Sequence, residues 1–184
     1  MKATDIFSWL SGSEMGDRIR AFDWSRTPLG PIEHWPTTLL STLGICLTAR
    51  FPLATYWGPE GWLLYNDAWR PILGDKHPWA LGRPAKEVWP EIWDKLHPLF
   101  TSVLDEGQAT WRNDELLPMQ RFGFTEECYF DYSFNPIRGQ SGAVEGILNI
   151  VQETTYRVLN DRRTSLLREL ASLSGSAQNE TDAC

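Results

Sequence analysis

The chain of 184 residues has only three cysteines, Cys46, Cys128 and Cys184, odd in number, far apart and without C-x-x-C spacing. That pattern indicates neither a disulfide framework nor a zinc site and fits a reducing cytosol. Histidine is as scarce, and His34, His77 and His97 share no metal-ligand spacing. Lys and Arg are scattered and the net charge is −7, so no nucleic-acid partner is expected. Long apolar runs are missing too. The longest uncharged stretch, Trp35 to Ala49, is Thr-rich and falls short of the roughly 18 apolar residues of a membrane span. The N-terminus lacks the apolar segment and cleavage pattern of a signal peptide. A cytoplasmic protein without a membrane partner is expected. Catalytic signatures are also lacking: no Gly-x-Ser-x-Gly elbow, Walker-type phosphate loop, His-Glu-x-x-His helix, kinase signature or phosphoacceptor helix occurs. This chain is expected not to be an enzyme, and any catalytic output belongs to domains downstream of it.

What is present suits one ordinary domain with extensions. Residues 1–50 read as a helical extension. It is punctuated by Ser11-Gly-Ser13 and Thr27-Pro-Leu-Gly-Pro31, and its last helix carries Leu39, Leu40, Leu43, Cys46 and Leu47 at helical spacing. Pro52 to Trp57 and Gly61 to Tyr65 flank the turn Gly58-Pro-Glu-Gly61 and predict a hairpin. A short helix over Asn66 to Gly74 follows. A longer one is marked by Ile92, Leu96, Phe100, Val103 and Leu104, where Pro98 either kinks the helix or marks its first turn. Ala109 to Pro118, Phe124 to Ile137 and Ala143 to Glu153 predict three more strands. The fold class is mixed α/β: a five-stranded antiparallel sheet over residues 51–155, flanked by short helices and one long helix.

The last strand, Ala143 to Glu153, runs straight into an amphipathic tail. Tyr156, Leu159, Leu166, Leu170 and Leu173 lie at spacings of three, four and seven, a coiled-coil seam broken by Arg163. A strand handing its chain to an exposed helix converts strain at the strand end into helix movement. Residues 156–184 are therefore read as a signalling helix and linker, with dimerisation expected through the helix. Glu153 and Thr155 sit at the joint, placed for signal transfer and for capping unpaired N–H groups of the new helix.

The element order, Tyr65-Asn-Asp-Ala-Trp69 after the second strand and Glu153-Thr-Thr155 at the end of the last one resemble the PAS domain of bacterial sensor proteins. Arg20-Ala-Phe-Asp-Trp-Ser-Arg-Thr-Pro-Leu-Gly-Pro31, Trp35-Pro36, Leu73-Gly-Asp-Lys-His-Pro78 and Leu81-Gly-Arg-Pro84 resemble a subgroup at the N-termini of multidomain sensor histidine kinases. The resemblance implies a sensory module that binds a small molecule or partner chain and passes the signal through its C-terminal helix to a downstream output domain. It also implies that GAF and kinase domains of the same polypeptide follow, and Glu180-Thr-Asp-Ala-Cys184 resembles the opening of a GAF helix, so the chain reads as a fragment.

Ten tryptophans invite two readings, core filling or an aromatic pocket for a planar ligand or sugar. The candidate pocket comprises Trp57, Tyr65, Asn66, Trp69, His77, Trp89 and Trp93. Haem would need a histidine facing that pocket, and His97 holds the corresponding position on the long helix. Flavin photochemistry of the LOV type needs a cysteine that Gly82 to Trp89 lacks, leaving non-covalent flavin as an alternative and Cys46 and Cys128 as small buried hydrophobes. A module for dimerisation alone, with a filled core, is the plainest rival, and a carbohydrate-binding β-domain another.

Overall fold

The computed structural model describes the backbone of residues 8–181 and the side chains of residues 8–173. Helix α1 (Glu14–Ala21) starts because three donors of its first turn find acceptors. Ser13 Oγ accepts from the Gly16 N–H at 3.0 Å, and the Asp67 carboxylate accepts from the Glu14 and Met15 N–H groups at 3.2 and 2.8 Å. The same bonds tie α1 to the chain beyond the first hairpin. Helix α2 (Thr37–Thr48) buries Leu39, Leu43 and Cys46 at helical spacing and packs on the first two strands.

The sheet is antiparallel throughout. β1 (Leu53–Trp57) pairs with β2 (Trp62–Tyr65), and β3 (Thr110–Gln120), β4 (Thr125–Arg138) and β5 (Val144–Glu153) form a meander. The two parts join through β1 and β5, with Tyr56 opposite Ile147 and Thr55 opposite Leu148, giving the order β2-β1-β5-β4-β3. The expected five-stranded antiparallel sheet is observed.

Between β2 and β3 lie α3 (Arg70–Leu73), α4 (Ala85–Val88) and α5 (Trp93–Glu106). Helix α5 crosses the inner face of the meander, burying Leu96, Leu99, Phe100 and Val103. Each such side chain contributes roughly 1.5–3 kcal/mol when buried. Pro98 lies inside α5, which starts at Trp93, so it does not mark the first turn. Gly107, at φ +66°, closes the helix in the left-handed conformation that glycine adopts without steric cost.

Leu10, Met15, Ile19, Trp24 and Trp35 share one buried cluster with Tyr56, Phe100 and Phe134. The N-terminal segment is thus built into the core. Only Thr154 separates the end of β5 from helix α6 (Thr155–Thr181), whose first turns run beside β4. No helix of the described residues is long and apolar enough to cross a membrane.

Candidate functional site

The inner face of the sheet, α3 and α5 enclose a cavity of about 40 Å³. Tyr56 reaches it from β1, Ile72 from α3, Met119 from the end of β3, Phe130, Tyr132 and Phe134 from alternate positions of β4, and Asn149 and Val151 from β5. Its walls are almost wholly apolar. Tyr56 Oη accepts the Trp89 indole N–H at 2.9 Å, and burial pushes the Tyr56 phenol up from its ordinary pKa. Asn149 Nδ2 donates to the Ser133 carbonyl at 3.1 Å. The buried Trp69 indole N–H finds no acceptor among the described residues. A donor left that way costs about 1–3 kcal/mol.

The cavity holds little more than the ~30 Å³ share of one water in the liquid, against the ~300–1,000 Å³ of ordinary small-molecule sites. It is far smaller than the ligand pocket expected from the sequence. Haem and flavin do not fit it. His97 lies exposed on the outer side of α5, beside Trp93, in a surface groove that also contains Pro59 and Glu145. Neither Cys46 nor Cys128 lines the cavity; burial raises their thiols to about 12 and about 11, and both stay protonated at neutral pH.

Of the seven pocket residues expected from the sequence, only Trp69 and Trp89 line the cavity. Trp57 follows Tyr56 on β1, so the strand alternation turns it to the opposite face. Tyr65 and His77 instead secure α1: Tyr65 Oη lies 2.9 Å from His77 Nδ1, and His77 Nε2 lies 3.2 Å from Glu14 Oε1. Asn66 is a structural bracket. Its Oδ1 accepts from the Leu53 and Trp69 N–H groups at 3.1 Å each, and its Nδ2 donates to the Cys46, Ala49 and Phe51 carbonyls. Trp93 belongs to the outer groove with His97.

The second part of the site is the exit joint. Arg121 follows β3 directly and is 7% exposed. Its guanidinium donates to Glu126 Oε2 at 2.6 Å and Glu153 Oε2 at 2.8 Å, and lies 3.1 Å from Cys128 Sγ. Burial works against this charge, but the Glu153 and Glu126 carboxylates outweigh it and hold the Arg121 pKa above its ordinary value. Burial likewise would raise the Glu153 carboxyl, yet Arg121 and the Thr155 hydroxyl hold it below the carboxylate range. Arg121 also reaches back to the cavity wall. Its carbonyl accepts the Asp75 N–H at 2.7 Å, and its Nη1 lies 3.4 Å from the Pro71 carbonyl. Gly74, between them, has φ +55°, and a Cβ there would stand 2.6 Å from the Arg121 carbonyl oxygen. Glycine is required by both conformation and space.

Thr155 Oγ1 accepts the Tyr129 N–H at 2.9 Å and donates to Glu153 Oε1 at 2.8 Å. Glu153 and Thr155 do meet at the joint, but they bind β4 and Arg121 instead of capping α6. Asp114 completes the clasp. It sits at a bulge in β3 with φ +48°, where Asp is tolerated, and accepts from Thr154 Oγ1 at 2.7 Å and Arg157 Nη2 at 2.5 Å. Arg162, one turn further along, donates to Glu127 at 2.9 Å and Tyr129 Oη at 2.6 Å.

Comparison with known proteins decides the family. A family model described as the PAS fold matches residues 54–159, more than half of the chain. The chain belongs to the PAS family. Solved structures agree on the fold of this PAS domain. It is similar to the PAS domain of a protein from Colwellia psychrerythraea, at 14% identity and TM-score 0.50, over 64% of this chain and 98% of that one. A LOV protein of Rhodobacter sphaeroides matches at 15% identity and TM-score 0.51, over 73% and 80% of the two chains. An RNA-binding light-oxygen-voltage receptor is 23% identical with TM-score 0.51 over 83% of this chain, which spans 42% of that receptor. At these identities the likeness speaks for the fold alone.

Proposed function

We propose that this PAS domain is a mechanical relay: occupancy of the internal cavity is converted into movement of α6 and, through it, of a downstream output domain. The observation that carries the reading is Arg121, which bonds the Pro71–Asp75 segment beside cavity residue Ile72 and also Glu153 at the α6 joint. A cavity of about 40 Å³ adds to this coupling. An occupant larger than a water or two must displace wall residues such as Ile72, inside the segment that Arg121 bonds, and Met119, two residues before Arg121 at the end of β3. Close-packed interiors transmit such a displacement instead of absorbing it. The occupant is a small, largely apolar molecule with an acceptor for the Trp69 indole.

The output runs through α6. Leu159, Leu166, Leu170 and Leu173 are 38–64% exposed along it, and pairing with a second copy in a homodimer would cover this seam. GAF and kinase domains of the same polypeptide would receive the movement in the cytoplasm, and this chain itself performs no catalysis.

A second reading, dimerisation without a ligand, is favoured by the small cavity. Native mass spectrometry of the chain purified from cells separates the two. A co-purifying small molecule that Ile72→Phe excludes supports the relay, whereas a dimer that carries nothing and binds no small-molecule probe supports the rival.

A further inference from the structure

A second recess, far larger than the internal cavity, is a groove of about 740 Å³ between the N-terminal segment and the β2 edge. Its volume lies in the range of small-molecule sites. Arg18, Arg26 and Arg83 line it together with the rings of Phe22, Trp62 and Trp79. The floor is preformed. Gly82, at φ +67°, lets the loop approach so closely that a Cβ would stand 2.9 Å from the Phe22 ring, and its N–H bonds the Leu63 carbonyl of β2 at 2.9 Å.

The groove lining carries three arginines against two carboxylates, Asp23 and Glu87, an excess of positive charge in a chain of net charge −7. Arg18 is engaged by Glu14 at 2.9 Å, and Arg83 only loosely by Glu87 at 3.6 Å. Arg26 makes no ion pair among the described residues. The Arg83 guanidinium is placed 5.2 Å from the centroid of the Trp79 ring, which is 48% exposed. In the same wall the Trp62 indole N–H is buried without an acceptor among the described residues. Guanidinium forks match carboxylate and phosphate oxygens in pairs, and flanking aromatic rings stack on a planar body.

We propose that this groove binds a planar aromatic molecule carrying one anionic group, carboxylate or phosphate, with Arg26 and Arg83 on the anion and Trp79 and Phe22 against the ring. The site is separate from the internal cavity and does not depend on the relay. Isothermal titration calorimetry of the 184-residue chain tests it with three probes: indole-3-acetate, AMP and the uncharged tryptophol. At least one anion is expected to bind with Kd below about 1 mM, and tryptophol about tenfold more weakly or worse, because a charge-assisted bond is lost. Arg26→Gln and Arg83→Gln are each expected to weaken the anion about tenfold while the melting temperature holds, since both side chains are exposed. Glu87→Gln should tighten it. Binding of indole-3-acetate alone assigns a carboxylate site, and of AMP alone a phosphate site. Shifts of the Trp62 and Trp79 indole N–H resonances on titration give an independent readout. Failure of both anions to saturate, equal affinity for tryptophol, or unchanged binding in both arginine variants would overturn the proposal.

Discussion

Replacing Arg121 by Met keeps the aliphatic volume and removes only the guanidinium. At a side-chain exposure of 8%, that group serves Glu126, at 18%, and Glu153, at 32%. Breaking a fully buried ion pair costs about 3–5 kcal/mol, and a charged hydrogen bond is worth about 1.5–3 kcal/mol. Here both carboxylates retain some water, which reduces the penalty of leaving them alone, so the expected cost is about 2–3 kcal/mol. For a chain of this length that corresponds to roughly 5–10 °C in Tm. Urea melts give the global value. Hydrogen exchange shows where it falls: the Pro71–Asp75 segment and the first turn of α6 should lose protection together. Arg162→Met is the control, because its ion pair with Glu127 is about half exposed, screened by water, and contributes little. A cost for Arg121→Met no larger than for Arg162→Met, with α6 exchange unchanged, would refute the reasoning.

Asn66→Ala strands buried backbone groups at the end of α2 and the start of β1, and is expected to cost about 3 kcal/mol in urea melts or to prevent folding; Asn66→Asp should restore little, since it cannot donate to the three carbonyls. The depressed Glu153 pKa gives a pH dependence of defined sign. The clasp contributes fully above the ordinary carboxylate pKa of ~4.3 and is lost as pH falls through the lower folded value, so exchange at the Tyr129 amide should accelerate only in that acidic window. Leu159→Asp with Leu166→Asp puts charge in the exposed seam, and sedimentation should show weaker self-association; an unchanged profile at dilute concentration would count against pairing through α6.

The elements were legible because their periods differ. Ile92, Leu96, Phe100 and Val103 keep helical spacing, and β4 alternates from Phe130 to Phe134, so α5 and the meander follow from the pattern. The cavity was not. Trp57 is more conspicuous than Tyr56, but strand register decides which of the two faces inward, and one position reverses the answer. Phe130, Tyr132 and Phe134 could have been found from the β4 alternation. Ile72, Met119 and Asn149 carried no signal, since nothing local distinguishes a cavity-lining residue from any other buried one. Arg121 stands in a stretch, Arg121-Phe-Gly123, that reads as a solvated turn, and only the tertiary approach of Glu153 and Gly74 explains its burial. Glu153 and Thr155 stand where the strand passes into the helix, a position that the sequence pattern marks, but their partners lie 32 and 26 residues away, beyond any local rule.

The central claim is an energetic coupling between the cavity wall and the α6 joint, and a double-mutant cycle measures it directly. Ile72→Phe overfills the cavity, and Glu153→Gln weakens the far end of the Arg121 bridge. Protection of the amides from Tyr156 to Leu159 is measured by hydrogen exchange in the parent, both single variants and the double variant. A relay through Arg121 predicts a coupling of at least about 1 kcal/mol, because overfilling should matter less once the bridge is already loosened. Effects that add to within about 0.5 kcal/mol would mean that the two sites are independent and would contradict the account.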